Sequence, residues 1–337
     1  MGNLFRRMKL SEIGQIVAGG TPKTKIEEYW NGDVPWITPK DLSSHAGMYI
    51  SRGERNISQV GLDNSSAKLL PKGTVLFTSR APIGYVAIAR NEVTTNQGFK
   101  SIIVDDENDN IFIYYLLKNN IDIIENHANG STFKEISGSV MKSLEFGIPS
   151  LREQKAIAHI LSTLDDKIEV NNQINKTLEN MAQAIFKQWF VDFEFPNENG
   201  EPYKSSGGEM VESELGTIPK GWEVVQFRDI FRFVKGKKPK TIAECEFKDS
   251  EKYLTIDVLN RNSVLFCSKE KVIEANSEDV LMVMDGASSG AVYFGQKGVV
   301  ASTLAKLELI SQKVSNQFLF YAIKYFENDI KTHTTGS

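Results

Sequence analysis

Basic side chains follow glycine- and proline-containing turns in two distant parts of the sequence. Residues 9 to 24 read KLSEIGQIVAGGTPKT, and residues 226 to 241 read QFRDIFRFVKGKKPKT. Lysine, arginine and backbone amides contact nucleic-acid phosphates, and Gly/Pro turns favour close approach of the backbone to a ligand. From Lys220 to Lys240 there are seven basic and two acidic residues, although the whole chain carries a net charge of −4. Such a basic face is compatible with a bound phosphate backbone, and also with a solvated surface loop.

Base reading requires arginine, lysine, asparagine or glutamine side chains that can form paired hydrogen bonds in the major groove. These residue types occur in the two Gly/Pro loops and at the ends of predicted strands, in the phrases FTSRAPIG and TTNQGFK. The candidate DNA-binding residues are Lys23, Lys25, Lys40, Arg80, Asn96, Gln97 and Lys100 in the first half and Lys235, Lys237, Lys238 and Lys240 in the second. For each of them, an exposed or turn-stabilising side chain is the alternative interpretation.

The sequence offers no residue pattern typical of catalysis. It contains no Asn-Pro-Pro-Phe or Asp-Pro-Pro-Tyr methyltransferase motif, no GxxxxGK[ST] phosphate-binding loop and no HExxH metal-binding motif. Its four histidines are scattered, and its two cysteines, Cys245 and Cys267, have neither metal-ligand spacing nor a disulfide framework. We therefore predict no catalytic residue, no metal site and no cofactor in this chain.

The composition is that of an ordinary globular protein, with 41% hydrophobic and 24% charged residues. No apolar run approaches the roughly eighteen residues that a membrane span requires. The first residues, MGNLFRRMKLSE, lack the apolar stretch of a signal peptide. We expect a cytoplasmic protein without a membrane partner, and a length of 337 residues predicts two domains.

The elements that carry the basic loops occur twice. At a constant offset of 217, six residues of the first Gly/Pro segment recur in the second, among them Gly19 as Gly236 and Lys23 as Lys240. Further on, IFIYYLLKNNIDIIENHANGS (111–131) aligns with QFLFYAIKYFENDIKTHTTGS (317–337) at an offset of 206, with seven of 21 positions identical. These matches indicate an internal duplication.

Both copies show the same order of elements. An amphipathic start leads to the Gly/Pro loop, and short β-branched runs follow, such as VLFTS and KSIIV in the first copy and VLMVM and LAKLELI in the second. An apolar helical pattern with i, i+3 and i+4 spacing closes each copy. This order predicts an α+β fold with two homologous domains, each a curled β-sheet plus helices, separated by one long helix.

The segment between the two copies predicts a helix of about forty residues, because no glycine or proline lies between Ser150 and Phe190. Ser150 and Glu153 have the spacing of a capping box at its start. The apolar residues recur in the four-three spacing of a coiled-coil seam. The predicted seam residues are Ile157, Leu161, Leu164, Ile168, Leu178, Ile185 and Trp189. A rod of about 60 Å cannot bury its own seam, so we expect a partner helix.

Several phrases of the chain, in their order, resemble the specificity (S) subunit of type I restriction–modification enzymes. They are GGTPKTKIEEYWNGDVPWITPKDL, FTSRAPIGYVAI, TNQGFKSI, IPSLREQKAIAHILSTLDDKIE and IPKGWEVVQFRDI. The resemblance covers essentially the whole chain. It implies target-recognition domain 1 at residues 1–148, a coiled-coil spacer helix at 149–191, a linker at 192–220 and target-recognition domain 2 at 221–337.

The resemblance also implies partners and chemistry. Each recognition domain reads one half of a bipartite site in double-stranded DNA. Two long helices, one after each domain, form an antiparallel coiled coil and dock methyltransferase (M) subunits, which carry S-adenosylmethionine and methylate adenine at N6. Restriction (R) subunits, which use ATP and Mg²⁺, join the same complex. The specificity subunit itself is not an enzyme.

One departure from the family pattern concerns the second copy. The first copy continues past Gly130-Ser131 into the long helix, whereas the second stops at Gly336-Ser337. We therefore expect the second half to be truncated, so that the long helix pairs with a second copy of the chain, with a separate fragment or with the M subunits. Two other classes stay open, which are a fused restriction or methylation enzyme and a coiled-coil scaffold whose globular ends bind protein.

Overall fold

The computed structural model describes residues 5–45, 47–80, 82–130 and 134–333. The chain divides into two compact units, Met1–Ile174 and Asn175–Ser337. The division lies inside the long helix, so each unit contains one part of it. The expected bounds of the two recognition domains stay a prediction.

Among the described residues, the first unit contains ten strands and the first six helices, the last of which continues into the second unit. The strands are β1 (Arg6–Lys9), β2 (Gly14–Ala18), β3 (Trp30–Ile37), β4 (Tyr49–Ile50), β5 (Arg55–Ile57), β6 (Val75–Ser79), β7 (Ile83–Ala89), β8 (Thr94–Thr95), β9 (Lys100–Val104) and β10 (Glu145–Ile148). The helices are α1 (Pro39–Ser43), α2 (Gln59–Asp63), α3 (Asn110–Asn119), α4 (Ile121–Glu125), α5 (Gly138–Ser143) and α6 (Leu151–Phe186). Single 3₁₀ turns lie at Leu10–Glu12 and Glu27–Tyr29.

A five-stranded sheet in the order β2-β9-β6-β7-β4 forms the centre of this unit. Its middle strand β6 is buried along its whole length, which the uninterrupted apolar run Val75-Leu76-Phe77 predicts. Val75 and Phe77 belong to a core cluster with α3, α4 and α5. Leu76 points to the opposite face and packs in a second cluster with Ile37 of the sheet β5-β3-β8. The loops that join these two sheets carry the candidate site.

Up to residue 333, the second unit contains eleven strands and four further helices. The strands are β11 (Met210–Ser213), β12 (Gly216–Pro219), β13 (Phe231–Lys235), β14 (Ile242–Ala243), β15 (Ser250–Leu254), β16 (Phe266–Ser268), β17 (Glu274–Ala275), β18 (Val280–Val283), β19 (Val292–Phe294), β20 (Gly298–Val300) and β21 (Leu304–Leu309). The helices are α7 (Phe227–Ile230), α8 (Ile256–Leu259), α9 (Asn316–Tyr325) and α10 (Glu327–His333).

The duplication is visible in the topology. The sheet order β13-β21-β18-β19 repeats the order β2-β9-β6-β7 of the first unit, and the parallel pair β15–β20 repeats the parallel pair β3–β8. Even the helix caps correspond, because Asp109 accepts a hydrogen bond from the Phe112 amide at 2.9 Å and Ser315, at an offset of 206, accepts one from the Phe318 amide at 3.1 Å. The predicted α+β fold with two homologous domains and a long helix is confirmed.

The long helix α6 begins with the predicted capping box. The Ser150 hydroxyl donates to Glu153 Oε2 at 2.8 Å, and the Ser150 amide donates to the same oxygen at 3.0 Å. These bonds hold the pKa of Glu153 below its usual value. After Phe186 the helix continues as a π-helical turn, Lys187–Val191. No helix within residues 5–45, 47–80, 82–130 and 134–333 is long and apolar enough to cross a membrane.

Residues 192–220, which we expect to be a linker, have structure of their own. Strands β11 and β12 form an antiparallel hairpin in this segment. Phe195 stacks between Tyr203, at a ring-centroid distance of 4.6 Å, and Trp222, at 5.5 Å. Three stacked aromatic rings give this connection a fixed local conformation rather than that of a flexible chain.

Candidate nucleic-acid interface

The Gly/Pro loop of the first unit lies so close to neighbouring backbone that only glycine fits. The Gly20 amide donates a hydrogen bond to the Thr95 carbonyl at 2.8 Å. A Cβ atom on Gly19 would lie 2.1 Å from the Asn96 carbonyl oxygen, and one on Gly20 would lie 2.3 Å from the Ala67 amide nitrogen. The two glycines therefore fix the loop against the end of β8 and against the segment that contains Ser66 and Ala67.

Two tryptophans form hydrogen bonds to the backbone of the same loop. Trp36 Nε1 donates to the Gly20 carbonyl at 2.9 Å, and Trp30 Nε1 donates to the Lys23 carbonyl at 3.3 Å. The two indoles pack edge to face with a centroid distance of 5.0 Å, and the Arg55 guanidinium lies 3.7 Å above the Trp30 ring. The loop backbone is thereby fixed while the side chains of Lys23 and Lys25 remain exposed.

The loop between β8 and β9 meets the Gly/Pro loop at this edge. The Asn96 amide donates to the Ile37 carbonyl at 3.0 Å, and its side-chain oxygen accepts from the Gly98 amide at 2.8 Å. The Thr21 hydroxyl donates to Gln97 Oε1. The structure thus brings the sequence-predicted residues Asn96 and Gln97 next to the lysine loop, with their amide nitrogens unpaired among the residues the structure describes.

Lys40 lies on α1, whose Thr38 and Asp41 form a capping box. Its side chain is 80% exposed and its ammonium lies 2.9 Å from Glu54 Oε2. This hydrogen bond raises the pKa of Lys40. The charge of Lys40 is therefore partly compensated within the protein.

Arg80 and Lys100 share one carboxylate. Arg80 Nη1 lies 3.5 Å from Glu135 Oε2, and Lys100 Nζ lies 3.6 Å from Glu135 Oε1. The Ser79 amide, just before Arg80, donates to the Gly98 carbonyl at 2.7 Å, which connects this group to the β8–β9 loop. The Lys100 side chain is only 10% exposed, in contrast to the free lysines of the Gly/Pro loop.

The second unit repeats the glycine contact. A Cβ atom on Gly236 would lie 2.2 Å from the Ala301 carbonyl oxygen, and the Gly236 amide donates to the Leu304 carbonyl at 2.9 Å. The next amide, of Lys237, donates to the Val300 carbonyl at 3.2 Å. The second loop is therefore held against the turn before β21. The Gly/Pro loop of the first unit is held in the same way against the turn before β9.

The four lysines of this loop differ in their partners. Lys240 lies 2.6 Å from Glu270, which raises the pKa of the lysine and lowers that of the glutamate. Lys235 lies 3.5 Å from Asp285. Lys237 and Lys238 are exposed and form no ion pair within the described part of the chain. These two supply the uncompensated positive charge.

Sequence reasoning missed two parts of this site. The indole pair was detectable, because Trp30 and Trp36 stand in the phrase WNGDVPW directly after the first lysine loop. The role of Glu135 could not be predicted from neighbouring residues, since it lies 35 positions after Lys100 in the sequence and only the fold brings it close to the two cations.

The predicted helix seam is largely exposed within its units. The exposed fractions are 36% for Ile157, 53% for Leu164, 57% for Ile168, 57% for Leu178 and 43% for Ile185. Leu161 and Trp189 are half-buried. Ile157 and Leu161 line a cavity together with Phe112 and Tyr115, so this part of the seam faces the body of the first unit.

In the first unit, the Tyr115 hydroxyl donates to Asp165 at 2.8 Å. In the second unit, Phe186 is buried and its ring lies 5.5 Å from the ring of Phe318. These contacts attach the helix to each body, while Leu164, Leu178 and Ile185 keep 43–57% of their surface exposed to solvent.

The described residues contain no group of three or more His, Cys, Asp or Glu side chains that could hold a metal ion. What the fold presents twice is a lysine-bearing loop, fixed by glycine against the turn before a central strand. A duplicated binding module attached to a long helix is therefore the class of protein that the architecture defines.

The particular family follows from comparison with known proteins. The family model for the type I restriction modification DNA specificity domain matches residues 4–180 and 219–337. The chain belongs to this family. The resemblance to type I specificity subunits that the sequence phrases indicate is thereby confirmed.

Curated relatives and a solved structure agree with this assignment. The chain is 46% identical over 230 residues to the type I restriction enzyme MjaIX specificity subunit of Methanocaldococcus jannaschii, a match that covers 68% of this chain and 52% of that protein. It is 26% identical over 308 residues to the HindI specificity subunit of Haemophilus influenzae, covering 74% and 65%. The chain thus spans about half to two thirds of the length of these relatives.

A crystal structure of a type I restriction–modification S subunit from M. genitalium has the same fold. The TM-score is 0.60 at 21% identity, and the match covers 98% of this chain and 80% of that one.

Proposed function

We propose that this protein is the DNA-binding specificity subunit of a type I restriction–modification enzyme, and that each of its two domains reads one half of a bipartite DNA target. The observation that carries the proposal is the repeated lysine loop. In both units a glycine in close contact with a neighbouring carbonyl fixes a loop from which uncompensated lysines project. Fixed cations suit a phosphate backbone, and the neighbouring amides of Asn96 and Gln97 suit base edges.

We infer that catalysis belongs to partner subunits. Methyltransferase subunits that carry S-adenosylmethionine would supply adenine N6 methylation, and restriction subunits that use ATP and Mg²⁺ would supply cleavage. Support comes from the family membership of the chain and from the absence of methyltransferase and nucleotide-binding motifs in its sequence.

Reconstitution tests this proposal. The purified chain is incubated with DNA and S-adenosylmethionine, alone and with its M subunit, and the products are sequenced for N6-methyladenine. We expect methylation at one bipartite site only when both proteins are present. Sequence-specific methylation by the chain alone would contradict the proposal and favour a fused enzyme.

The alternative of a coiled-coil scaffold with protein-binding ends makes a different prediction about salt. DNA binding releases counterions and weakens steeply as salt rises. A scaffold would show no DNA binding with such a slope, in the presence or absence of the M subunit.

The exposed seam supports a helical partner in the assembled enzyme. Five large apolar side chains are 36–57% exposed along one face of the long helix. Complete burial of a fully exposed side chain of this size is worth about 1.5–3 kcal/mol, so burial of the remaining exposed third to half of all five favours a partner helix. An identical helix from a second copy, paired antiparallel about a twofold axis, would bury both seams and predicts a palindromic bipartite target. Native mass measurement of the complex with the M subunit tests this, because one specificity chain per complex with an asymmetric site would refute the homodimer.

A further inference from the structure

A carboxylate lies between two cations at the candidate interface of the first unit. Glu135 lies 3.5 Å from Arg80 Nη1 and 3.6 Å from Lys100 Nζ. Charge-assisted hydrogen bonds between such groups are typically about 2.7–2.9 Å long. Glu135 is therefore shared loosely by the two cations and is not bound tightly by either.

The backbone of Glu135 is fixed independently of its side chain. Its amide donates to the Asn129 carbonyl at 3.0 Å, and its carbonyl accepts from the Asn129 amide at 3.0 Å. The next amide, of Ile136, donates to the Ser79 carbonyl at 3.0 Å, and the Ile136 side chain is fully buried. The Glu135 side chain is 42% exposed, so it can rotate into solvent without any loss of these backbone bonds.

The two cations have hydrogen-bonding capacity that Glu135 does not use fully. The Lys100 side chain is only 10% exposed, and its one hydrogen bond to a described neutral group, Ser79 Oγ, is 3.4 Å long. An ammonium has three donors, and a buried charge is stable only when it is well paired. Arg80 is 36% exposed and faces the same carboxylate. Two cations with one carboxylate leave a net positive charge for a further anion.

The second unit provides an internal contrast. Ala305 stands at the repeat position of Lys100, because Ala18 faces Lys100 across the sheet and its repeat counterpart Lys235 faces Ala305. Asp285 stands at the repeat position of Arg80, because the amide of the preceding residue donates to the equivalent carbonyl in both units, Ser79 to Gly98 and Met284 to Thr303. The second unit therefore has neither cation at these two positions, so the cation pair is particular to the first domain.

We propose that Glu135 is a carboxylate that competes with DNA phosphate in the first recognition domain. It occupies Arg80 and Lys100 in the free protein, and a DNA phosphate oxygen replaces it on binding. This inference rests on the proposed DNA-binding function. Because the carboxylate must be displaced from both cations before a phosphate can bind them, it lowers the affinity of the domain for DNA and weakens the salt dependence of binding.

Glu135→Gln tests the inference in the complex with the M subunit. Binding of two labelled duplexes, one with the methylated site and one without it, is measured by fluorescence anisotropy between 50 and 200 mM KCl. One additional phosphate contact steepens the slope of log K against log salt by about 0.9, so the gain of the variant should be about threefold larger at the lower salt concentration. We expect tighter binding to both duplexes, by a similar factor, because phosphate contacts carry no sequence information.

Glu107→Gln is the matched control. Glu107 is exposed, lies beyond the opposite end of β9 from Lys100 and forms no ion pair within the ranges that the structure describes. The same change in net charge at this position should leave the salt slope unchanged. Addition of Arg80→Met to Glu135→Gln should remove most of the gain, since Arg80 is the exposed member of the cation pair.

The outcomes separate the inference from the proposed function. If the wild-type complex binds no DNA, the proposed function fails. If it binds DNA but Glu135→Gln has the wild-type slope and affinity, the role of Glu135 is overturned. Thermal melting checks the fold of the variant. Should Glu135→Gln melt early, Glu135→Asp keeps the charge but shortens the side chain, and part of the gain is expected. An unchanged aspartate variant would then overturn the inference.

Discussion

Replacement of Lys237 and Lys238 by alanine should remove the main sequence-independent contact of the second domain with DNA. Both side chains are exposed and lack an ion pair among the residues that the structure describes, whereas Lys240 is paired with Glu270 at 2.6 Å. A cation that is already paired gains less from a phosphate, because its carboxylate must first be displaced. The two free lysines are therefore expected to matter more than Lys240.

The magnitude follows from counterion release. Each phosphate contact contributes about 0.9 to the slope of log K against log salt, so loss of Lys237 and Lys238 should reduce the slope by about 1.8. Between 50 and 200 mM salt this corresponds to a change of about tenfold in the ratio of wild-type to variant affinity. Lys240→Ala alone should reduce the slope by less than about 0.9, because Glu270 already compensates its charge.

Anisotropy titrations of the complex with its M subunit, on target and non-target duplexes, provide the measurement. Both duplexes should lose affinity by a similar factor, since phosphate contacts carry no sequence information. Lys204→Ala is the control, because Lys204 is an exposed lysine of the same unit outside the loop. An unchanged slope in the double variant would refute the assignment of this loop to the phosphate backbone. A larger effect of Lys240 than of the two free lysines would refute the argument from ion pairing.

Three further substitutions test the contacts that hold the Gly/Pro loop and the long helix in place. Trp36→Phe removes the indole donor to the Gly20 carbonyl, which should cost about 1–3 kcal/mol in urea unfolding and weaken DNA binding, whereas equal stability would mean that the loop is held by other contacts. Tyr115→Phe removes the hydrogen bond to Asp165 and should cost about 1.5 kcal/mol, read from the thermal midpoint. Burial, followed by the contact with Asp165, raises the pKa of Tyr115. This contribution should therefore be fully present below the usual tyrosine pKa and should decline as pH rises above it, because the unfolded chain ionises there while the folded hydroxyl stays protonated, and a stability difference that did not change above that pH would contradict the assignment. Ser150→Ala should cost about 1 kcal/mol and accelerate hydrogen exchange in the first turn of the long helix, and unchanged exchange would exclude a role for the capping box.

Local patterns in the sequence are enough to predict much of this architecture. The long helix follows from the lack of glycine and proline between Ser150 and Phe190, and its start follows from the three-residue spacing of Ser150 and Glu153. The duplication follows from identities at constant offsets, and the structure shows the same sheet order in both units. These features depend on residues close in sequence or on a direct comparison of two segments, so no knowledge of long-range contacts is needed.

At the loops of the candidate site, the sequence and the tertiary structure each supply part of the explanation. Gly19 and Gly236 stand at matching positions of the repeat, which marks them before any fold is known. The need for glycine at these positions comes from the tertiary structure, because a Cβ atom at either position would lie 2.1–2.2 Å from a carbonyl oxygen of a segment distant in sequence. Residue type therefore indicates the need for close approach, while only the fold identifies what is approached.

The electrostatic state of each candidate cation depends on the tertiary structure alone. Lys237 and Lys240 are three positions apart in one loop, yet among the described carboxylates Glu270 lies within hydrogen-bonding distance of Lys240 and none does so for Lys237. The sequence predicts that Lys100 is an exposed lysine at the end of a strand, but in the structure it is buried beside Glu135. Ion pairs form between residues that are tens of positions apart, so their distances are set by the packing of strands and loops and not by local spacing.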